Sequence, residues 1–273
     1  MVTVRYLQLS LIRHAQSVGN LQQKMEGQSS TELSALGHQQ AQKLGQALAT
    51  SITQHLATQP ALTDPNSASY DLTELSLSLY SSPMLRASQT VHHLIQALQA
   101  QKREQTAYRY PIRFQNHQSV DLQEMHQGIF QGLTWAQAQA QYPELCDQLL
   151  SSRVWQPVPQ AESLIEARAR AHRWVRHVLN QHQPGEVVWA VSHEGFLQHL
   201  IAVIMGCDRT WKIHIGHTGI FEFWLSDEAY TYLQEHSACP SCQTLSASRS
   251  NQLFNPEQWI VRRFNDCSHL HRF

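Results

Sequence analysis

The sequence predicts an α/β fold, in which strands of a mostly parallel sheet alternate with helices. Along the 273 residues, strand-like segments alternate with segments whose apolar residues have helical spacing. Residues 187–191 are apolar throughout, which is typical of a strand covered on both faces. Polar residues follow several predicted strands at the point where each strand ends. In α/β proteins the ligand binds in the crevice at that edge of the sheet.

The first half of the chain begins with a strand and a long helix. An alternating apolar pattern predicts the strand over residues 6–12, and helical spacing predicts the helix from residue 33 to about residue 56. Ser82 and Pro83 are typical of an N-cap and the first residue of a helix, so a second helix is expected there. The remaining predictions in this half are strands at 75–80 and 112–114 and a surface loop at 59–73.

The second half supplies a long helix, from about residue 161 to residue 182, which Pro184 and Gly185 end. Another helix begins directly after the apolar strand at 187–191. The remaining predictions are helices at 134–141 and 143–150 and strands at 220–225 and 259–264.

The length fits one large domain, and we expect residues 1–273 to form it. Two parts of this domain are expected to be peripheral. The first is a lid-like insertion around residues 115–160, and the second is a polar loop at residues 227–257.

Charge and hydropathy exclude several function classes. The formal net charge is −1, so the chain offers no field that would steer nucleic acid or an anionic membrane. It contains no apolar run of about 18 residues and no signal peptide pattern. We therefore expect a cytoplasmic protein that binds neither nucleic acid nor membrane.

The cysteines and histidines do not require a metal. Five cysteines are an odd and scattered set, which favours reduced thiols over a disulfide framework. Only Cys239 and Cys242 have metal-like spacing, and a structural zinc site would need two further ligands. The 17 histidines accompany a general abundance of Gln and His. We expect no metal and no cofactor.

Three polar groups follow predicted strands and should meet at one edge of the sheet. Arg13 and His14 follow the first strand, Arg86 lies within one helical turn of the second, and His193 follows the apolar strand. Guanidinium groups and helix N-termini bind phosphate oxygens. Two arginines and two histidines around one point therefore indicate a phosphoryl site.

Histidine can be a neutral nucleophile near pH 7 and a covalent carrier, so one imidazole could attack phosphorus while the other holds an oxygen. Glu124, which lies four residues before Gly128 in a loop-like context, is the candidate general acid for the departing oxygen. Glu162 and Glu194 are alternative carboxylates near the same crevice.

These motifs resemble those of the histidine phosphatase superfamily, also called the phosphoglycerate mutase-like family. The matching residues, in the family's order, are Arg13-His14-Ala15 with Ser17 and Asn20, residues 33–37, Ser82-Pro83 with Arg86, Glu124 with Gly128, Glu162-Ser163, Ser192-His193 and residues 265–270. One departure is Ala15, where the family usually carries glycine. The pocket should tolerate this methyl group if the backbone avoids conformations reserved for glycine.

The resemblance implies a three-layer α/β/α sandwich with a mostly parallel central sheet, and a phosphohistidine at His14. It implies that Glu124 donates the proton and that Asn20 lines the pocket as a substrate-binding residue. Arg13, Arg86 and His193 would bind the phosphoryl group. The two arginines would offset its charge without a metal.

The resemblance covers both phosphatases and mutases. Between residues 114 and 167 the only Lys or Arg is Arg153, while six side chains are acidic. This segment should cover the crevice, and an acidic cover does not suit a bisphosphate. We therefore expect hydrolysis of a small phosphorylated metabolite. A phosphoglycerate mutase is the alternative, since Lys102, Arg103, Arg109 and Arg113 could also fold over the site. A non-catalytic phosphate-binding module is a further alternative, and the oligomeric state stays open, a homodimer included.

Overall fold

The computed structural model of the protein describes residues 4–58, 75–104, 112–152, 156–207, 210, 213–237 and 258–271. The loop expected at residues 59–73 and the pair Cys239 and Cys242 lie outside these residues. In the described part of the chain no helix has both the length and the apolar character needed to cross a membrane.

A six-stranded sheet forms the centre of the fold, with strand order β3-β2-β4-β1-β5-β6. The strands are β1 (Tyr6–Arg13), β2 (Leu75–Ser81), β3 (Ile112–Gln118), β4 (Val187–Ser192), β5 (Ile220–Ser226) and β6 (Trp259–Asp266). Strands β1 to β4 pair in parallel, whereas β5 is antiparallel to β1 and β6 is antiparallel to β5. The predicted mostly parallel sheet is confirmed, and its two central strands are β4 and β1.

Helices cover both faces of this sheet. Those in the described residues are α1 (Val18–Leu21), α2 (Ala35–Thr58), α3 (Leu85–Glu104), α4 (Trp135–Gln141), α5 (Pro143–Ser151), α6 (Leu164–Gln181), α7 (Glu194–Ile204) and α8 (Asp227–Ser237). Helix α6 begins three residues later than predicted because Ser163 is its N-cap. The Ser163 side chain accepts a hydrogen bond from the Glu166 backbone N–H, and Glu166 completes a capping box.

Two apolar cores lie on opposite faces of the sheet. On one face, Leu44 of α2 and Leu94 of α3 pack with Trp189 of β4. On the other face, Trp174 of α6 and Phe196 of α7 belong to a cluster with the leucines of β1. All six residues of β4 are buried, as expected of a strand between two helical layers. The predicted three-layer α/β/α architecture is confirmed.

The prediction that Pro83 is the first residue of a helix is wrong by two positions, since α3 begins at Leu85. The Ser82 hydroxyl accepts a hydrogen bond from the Met84 N–H at 3.3 Å, and the Met84 carbonyl accepts one from the Ser88 N–H at 3.0 Å. Ser82 and Pro83 therefore form the turn that leads into α3. The missing N–H of proline is harmless at that position.

The polar loop expected at residues 227–257 is wrong in its first part, because residues 227–237 form α8. Ala229 and Leu233 lie one turn apart and are buried, and Asp227 and Glu228 occupy the first turn, where the helix dipole favours negative charge. Ala229 and Leu233 are buried in the core and Tyr230 packs against it, but most of the other residues of the helix are polar, so its composition resembles that of a loop.

Part of the segment expected to be a lid-like insertion, residues 115–160, belongs to the sheet, and the lid-like role of the rest stays a prediction. Strand β3 runs to Gln118 and pairs with β2 up to Ser81, so residues 115–118 belong to the sheet. The side chains of β3 are mostly exposed or half-buried, as is usual for an edge strand, and this polarity hid the strand's second half.

Candidate active site

Two central strands bring the candidate histidines together. Arg13, the last residue of β1, is paired with Ser192, the last residue of β4, and the His14 N–H donates to the Ser192 carbonyl at 2.9 Å. His193 follows as the N-cap of α7. As a result the rings of His14 and His193 lie side by side, with centroids 4.9 Å apart.

The guanidinium of Arg86, from the first turn of α3, reaches both rings. Its Nε lies 3.2 Å from Nε2 of His14 and 3.2 Å from Nδ1 of His193. One N–H shared between two neutral acceptors satisfies neither fully. An anionic oxygen placed among these groups would be a stronger acceptor.

The hydrogen bonds define the tautomer of each ring. Nδ1 of His14 lies 2.7 Å from the carbonyl oxygen of Ala15, which can only accept, so Nδ1 carries the proton. Nε2 of His14 accepts from Arg86, which leaves its lone pair on the side of the guanidinium. His193 accepts through Nδ1 and carries its proton on Nε2, an atom that is buried and has no partner among the described residues.

Both imidazoles are neutral over a wide pH range. Burial lowers the pKa of His14 well below its usual value, and His193, Arg86 and Arg13 lower it further. Burial likewise lowers the pKa of His193, with Arg86 and Arg13 acting in the same direction. A neutral imidazole has the free lone pair that a nucleophile needs.

Arg86 is fixed by the loop that precedes α2. Its two terminal nitrogens donate to the carbonyls of Ser29 at 2.6 Å and Gly27 at 2.8 Å. The side chain is 1% exposed. The residue therefore presents its Nε–H to the two imidazoles, while much of the planar fork is used to hold the loop.

Arg13 lies beside the same site and is also buried. Its NH1 donates to the Ile215 carbonyl and forms an ion pair with Glu194 at 2.8 Å, while its Nε has no partner among the described residues. Burial lowers the pKa of Arg13, and Glu194 opposes that shift. An arginine remains charged despite such a shift, so the site contains two guanidinium cations.

Glu124 is held at the N-terminus of α7. Its carboxylate accepts hydrogen bonds from the N–H groups of Gly195 at 3.1 Å, Phe196 at 2.9 Å and Met125 at 2.8 Å. Burial raises the pKa of Glu124, and these backbone N–H groups and Arg86 partly oppose it. A carboxyl group whose pKa is raised keeps its proton to higher pH, which is the property of a general acid.

The two alternative carboxylates have other partners. Glu162 forms a two-point ion pair with Arg170, at 2.9 Å and 2.6 Å, and Arg170 also donates to the carbonyls of Asp121 and Gln123. This pair supports the backbone that leads to Glu124. Glu194 forms an ion pair with Arg13 and is partly exposed. It therefore lies beside the site but lacks the burial of Glu124.

Asn20 is used within its own loop. Its amide oxygen accepts from the Ser17 N–H at 3.1 Å, its backbone N–H donates to the Ser17 hydroxyl, and its amide nitrogen donates to Glu26 at 2.9 Å. The structure thus places Asn20 in the capping box of α1. Its predicted role in lining the pocket stays a prediction.

Ala15 fits the position that the family usually gives to glycine. The side chain is buried, and the Ala15 N–H donates to the Thr90 hydroxyl at 3.1 Å. Its φ is not positive: within the described residues, only four non-glycine residues have positive φ, and Ala15 is not among them. Nearby, Gly37 is required because a Cβ there would lie 2.0 Å from the Gln16 carbonyl oxygen.

The segment after β3 packs against the loop that holds Arg86. The Met25 N–H donates to the Leu133 carbonyl at 2.8 Å, and the Gly132 N–H donates to the Met25 carbonyl at 2.8 Å. Gly128 has φ +58°, and a Cβ there would lie 2.0 Å from the Pro159 carbonyl oxygen. The close approach of residues 159–161 to Gly128 explains the glycine that follows Glu124.

The sequence reasoning missed three features of the site. Glu26 is buried, lies 3.7 Å from Nε of Arg86 and accepts from the Ser17 and Thr31 hydroxyls. His217 has its ring centroid 6.2 Å from that of His14, and burial, with Arg13, lowers its pKa to about 4. Neither follows a strand, and that was the signal used to find the other residues.

Thr218 is the third feature. It is fully buried with φ +60°, a strained conformation for a β-branched residue. Its hydroxyl lies 2.8 Å from Nε2 of His269, its N–H donates to the Arg13 carbonyl, and its neighbour His217 lies beside His14. The turn after β6 therefore supports the loop beside the site.

The cysteines and histidines of the described segments offer no further centre. No group of three or more His, Cys, Asp or Glu side chains there has a geometry that could hold a metal ion. Cys146, Cys207 and Cys267 are free thiols.

A protein-family model described as the histidine phosphatase superfamily, branch 1, matches residues 9–61 and 67–235. The protein belongs to this superfamily. The family and its phosphatase-named relatives support a phosphoric monoester hydrolase.

Two curated proteins and one solved structure illustrate the relationship. A candidate phosphoserine phosphatase of Hydrogenobacter thermophilus is 25% identical over 240 residues, which cover 86% of this chain and 98% of that protein. Phosphoglycerate mutase-like protein 4 of Arabidopsis thaliana is 27% identical over 199 residues, with 72% and 70% coverage. The structure of a mycobacterial glucosyl-3-phosphoglycerate phosphatase has a TM-score of 0.57 and 20% identity, and covers 96% of this chain and 99% of that chain. The last similarity shows the shared fold.

Proposed function

We propose that the protein is a metal-independent phosphatase that hydrolyses a small phosphomonoester through a phosphohistidine at His14. One observation carries this proposal: Nε of Arg86 lies 3.2 Å from a nitrogen of each neutral imidazole, His14 and His193. A phosphoryl group bound there would contact a nucleophile and hydrogen-bond donors at once.

In the first step the Nε2 lone pair of His14 attacks phosphorus, and the bond from phosphorus to the ester oxygen breaks. Glu124 gives its proton to the departing oxygen, so an alcohol leaves. The imidazole ring gains positive charge as the P–N bond forms. Its Nδ1–H, which faces the Ala15 carbonyl at 2.7 Å, is in place to stabilise that charge.

In the second step Glu124, now ionised, accepts a proton from a water molecule whose oxygen attacks phosphorus. The P–N bond breaks, inorganic phosphate forms and His14 returns to its neutral state. Arg13 and Arg86 offset the charge of the phosphoryl oxygens in both steps. The N–H on Nε2 of His193 is an unused donor for one of these oxygens.

Residues 114–167 carry less unpaired negative charge than their composition suggests. Two of the acidic side chains of the cover are neutralised by α6, since Asp121 pairs with Arg173 at 2.8 Å and Glu162 pairs with Arg170. The preference for a phosphatase over a mutase therefore depends on the carboxylates beside the two arginines of the site, Glu194 next to Arg13 and Glu26 next to Arg86. These negative charges would repel a bisphosphate, which carries a second phosphoryl group.

The decisive experiment measures phosphate release from a panel of phosphomonoesters that includes phosphoserine, sugar phosphates and nucleoside phosphates. His14→Ala is the inactive control, and Glu222→Gln, which alters an ion pair with Arg263 outside the site, is the matched active control. We expect release by the wild type and by Glu222→Gln and none by His14→Ala. A time course with 3-phosphoglycerate and catalytic bisphosphoglycerate separates the alternative: accumulation of 2-phosphoglycerate without free phosphate would indicate a mutase.

A further inference from the structure

The two arginines of the site, Arg13 and Arg86, differ in how their positive charge is balanced. Arg86 faces Glu26 at 3.7 Å, and both side chains are almost completely buried. Glu26 also accepts hydrogen bonds from Ser17 and Asn20, so it is held by several partners. This pair is a fixed part of the loop structure.

Arg13 has a counter-ion of a different kind. Glu194 lies 2.8 Å from its NH1, but the Glu194 side chain is 32% exposed. The other carboxylate oxygen accepts from the Ile215 N–H at 3.2 Å and lies 3.5 Å from Nδ1 of His214, whose side chain is 87% exposed. Glu194 therefore lies at the solvent edge of the site, directly after His193.

Such a carboxylate opposes the binding of anions in two ways. It occupies NH1 of Arg13, which a phosphate oxygen would otherwise reach, and it adds a negative charge beside the phosphoryl group. For charges about 6 Å apart in surroundings of effective dielectric constant near 20, the repulsion is large enough to change an anion's affinity by about tenfold or more. Solvent at the rim reduces this effect, and we take tenfold as the expected size.

We propose that Glu194 is a specificity-determining residue, which limits the affinity of the site for inorganic phosphate and for monoesters that carry a second negative charge near the phosphoryl group. The inference rests on the proposed function, since it assumes that the phosphoryl group binds at Arg13. A phosphatase gains from this arrangement because its product is an anion that must leave. The same carboxylate disfavours the retention of a bisphosphate.

The test is the affinity for inorganic phosphate, measured by calorimetry and as competitive inhibition, in Glu194→Gln. Glutamine keeps the shape of the side chain and an acceptor for Arg13 while removing the charge. We expect phosphate to bind this variant about tenfold more tightly than the wild type, and KM for an anionic monoester to fall in parallel. Glu222→Gln, which removes the charge from an Arg–Glu pair outside the site, should match the wild type.

A second variant separates charge from positioning. Glu194→Ala removes both the charge and the hydrogen bond to Arg13, and the proposal expects tighter phosphate binding there as well. Unchanged or weaker phosphate binding in Glu194→Gln would overturn the proposal, as would tightening that Glu222→Gln reproduces. If the wild type releases phosphate from monoesters but Glu194→Gln gains no affinity for inorganic phosphate, this inference alone is refuted. A wild type that neither binds nor releases phosphate refutes the proposed function too.

Discussion

Nδ1 of His14 lies 2.7 Å from the carbonyl oxygen of Ala15, the next residue in the chain. This contact fixes the proton of His14 on the nitrogen that points away from Arg86. In the proposed mechanism the reactive nitrogen is therefore Nε2, and the hydrogen bond to the backbone selects it.

Replacing His14 with Ala or Asn should abolish phosphate release, with a loss on the order of 10⁴-fold or more, because these variants lack the Nε2 lone pair that attacks phosphorus in the proposed mechanism. Labelled substrate and rapid quenching in alkali should trap a phosphoryl adduct in the wild type and none in either variant. Adduct formation in His14→Ala would place the nucleophile elsewhere.

Arg86→Lys should lower kcat/KM by about 10² to 10³-fold, although lysine keeps the positive charge. The reason is geometric: Arg86 uses Nε for the two histidines and its terminal nitrogens for Gly27 and Ser29, and an ammonium group cannot replace all of these bonds. Steady-state kinetics checks this, with Arg263→Lys as the control for an arginine outside the site. Retention of wild-type kcat/KM in Arg86→Lys would remove the fork geometry from the mechanism.

The pH dependence of kcat/KM should be bell-shaped. His14 must be neutral, and because its pKa is well below 6.5 the acidic limb should lie below that pH. Glu124 must be protonated in the first step. Burial raises its pKa, and the activity should fall as the pH rises through this pKa.

Glu124→Gln should lower turnover of an alkyl phosphate by about 10² to 10⁴-fold and remove the alkaline limb. With p-nitrophenyl phosphate, whose leaving group needs no proton, the variant should still form the phosphohistidine. It should then accumulate that species, because no carboxylate activates water. A rapid burst of p-nitrophenol followed by slow turnover is the expected trace, and absence of the burst would argue against this role for Glu124.

Acid should destabilise the fold between about pH 6.5 and pH 4. His199 is 4% exposed, its Nδ1 has no partner among the described residues, and burial lowers its pKa to about 4. In that window the unfolded chain binds a proton that the folded chain does not, so stability rises with pH by about 1.4 kcal/mol per pH unit for this group.

His199→Gln should reduce the slope of unfolding free energy against pH by about that amount, measured by urea unfolding at several pH values. The same change at His214, which is mostly exposed, removes a histidine without removing a buried one. An equal change of slope in both variants would mean that burial of His199 is not the cause.

The order of the elements followed from the sequence because β1 has an alternating apolar pattern, β4 is apolar up to its last residue, and polar residues mark the end of each strand. That same rule found Arg13, His14 and His193, since each lies at the end of a central strand or directly after it. Arg86 followed from its distance after β2. The boundaries that failed, at α3, β3 and α8, are those where a turn or a polar surface controls the local structure.

Two further residues near the site, Glu26 and His217, could not be found in this way. Glu26 reaches the site through hydrogen bonds within a loop, and His217 reaches it because Thr218 adopts φ +60°. Such placements depend on contacts with residues far away in the chain, such as His269. A pattern of apolar residues carries no information about them.

The position of β1 has a consequence for biosynthesis. Leu9 pairs with Val188 of β4 on one side and with Phe223 of β5 on the other, so both neighbours of this strand are made long after it. During translation the segment that bears His14 must wait for residues near position 220 before both neighbouring strands of β1 are present. Until then its apolar faces are exposed to solvent, which promotes aggregation, and we expect chaperones to bind the growing chain.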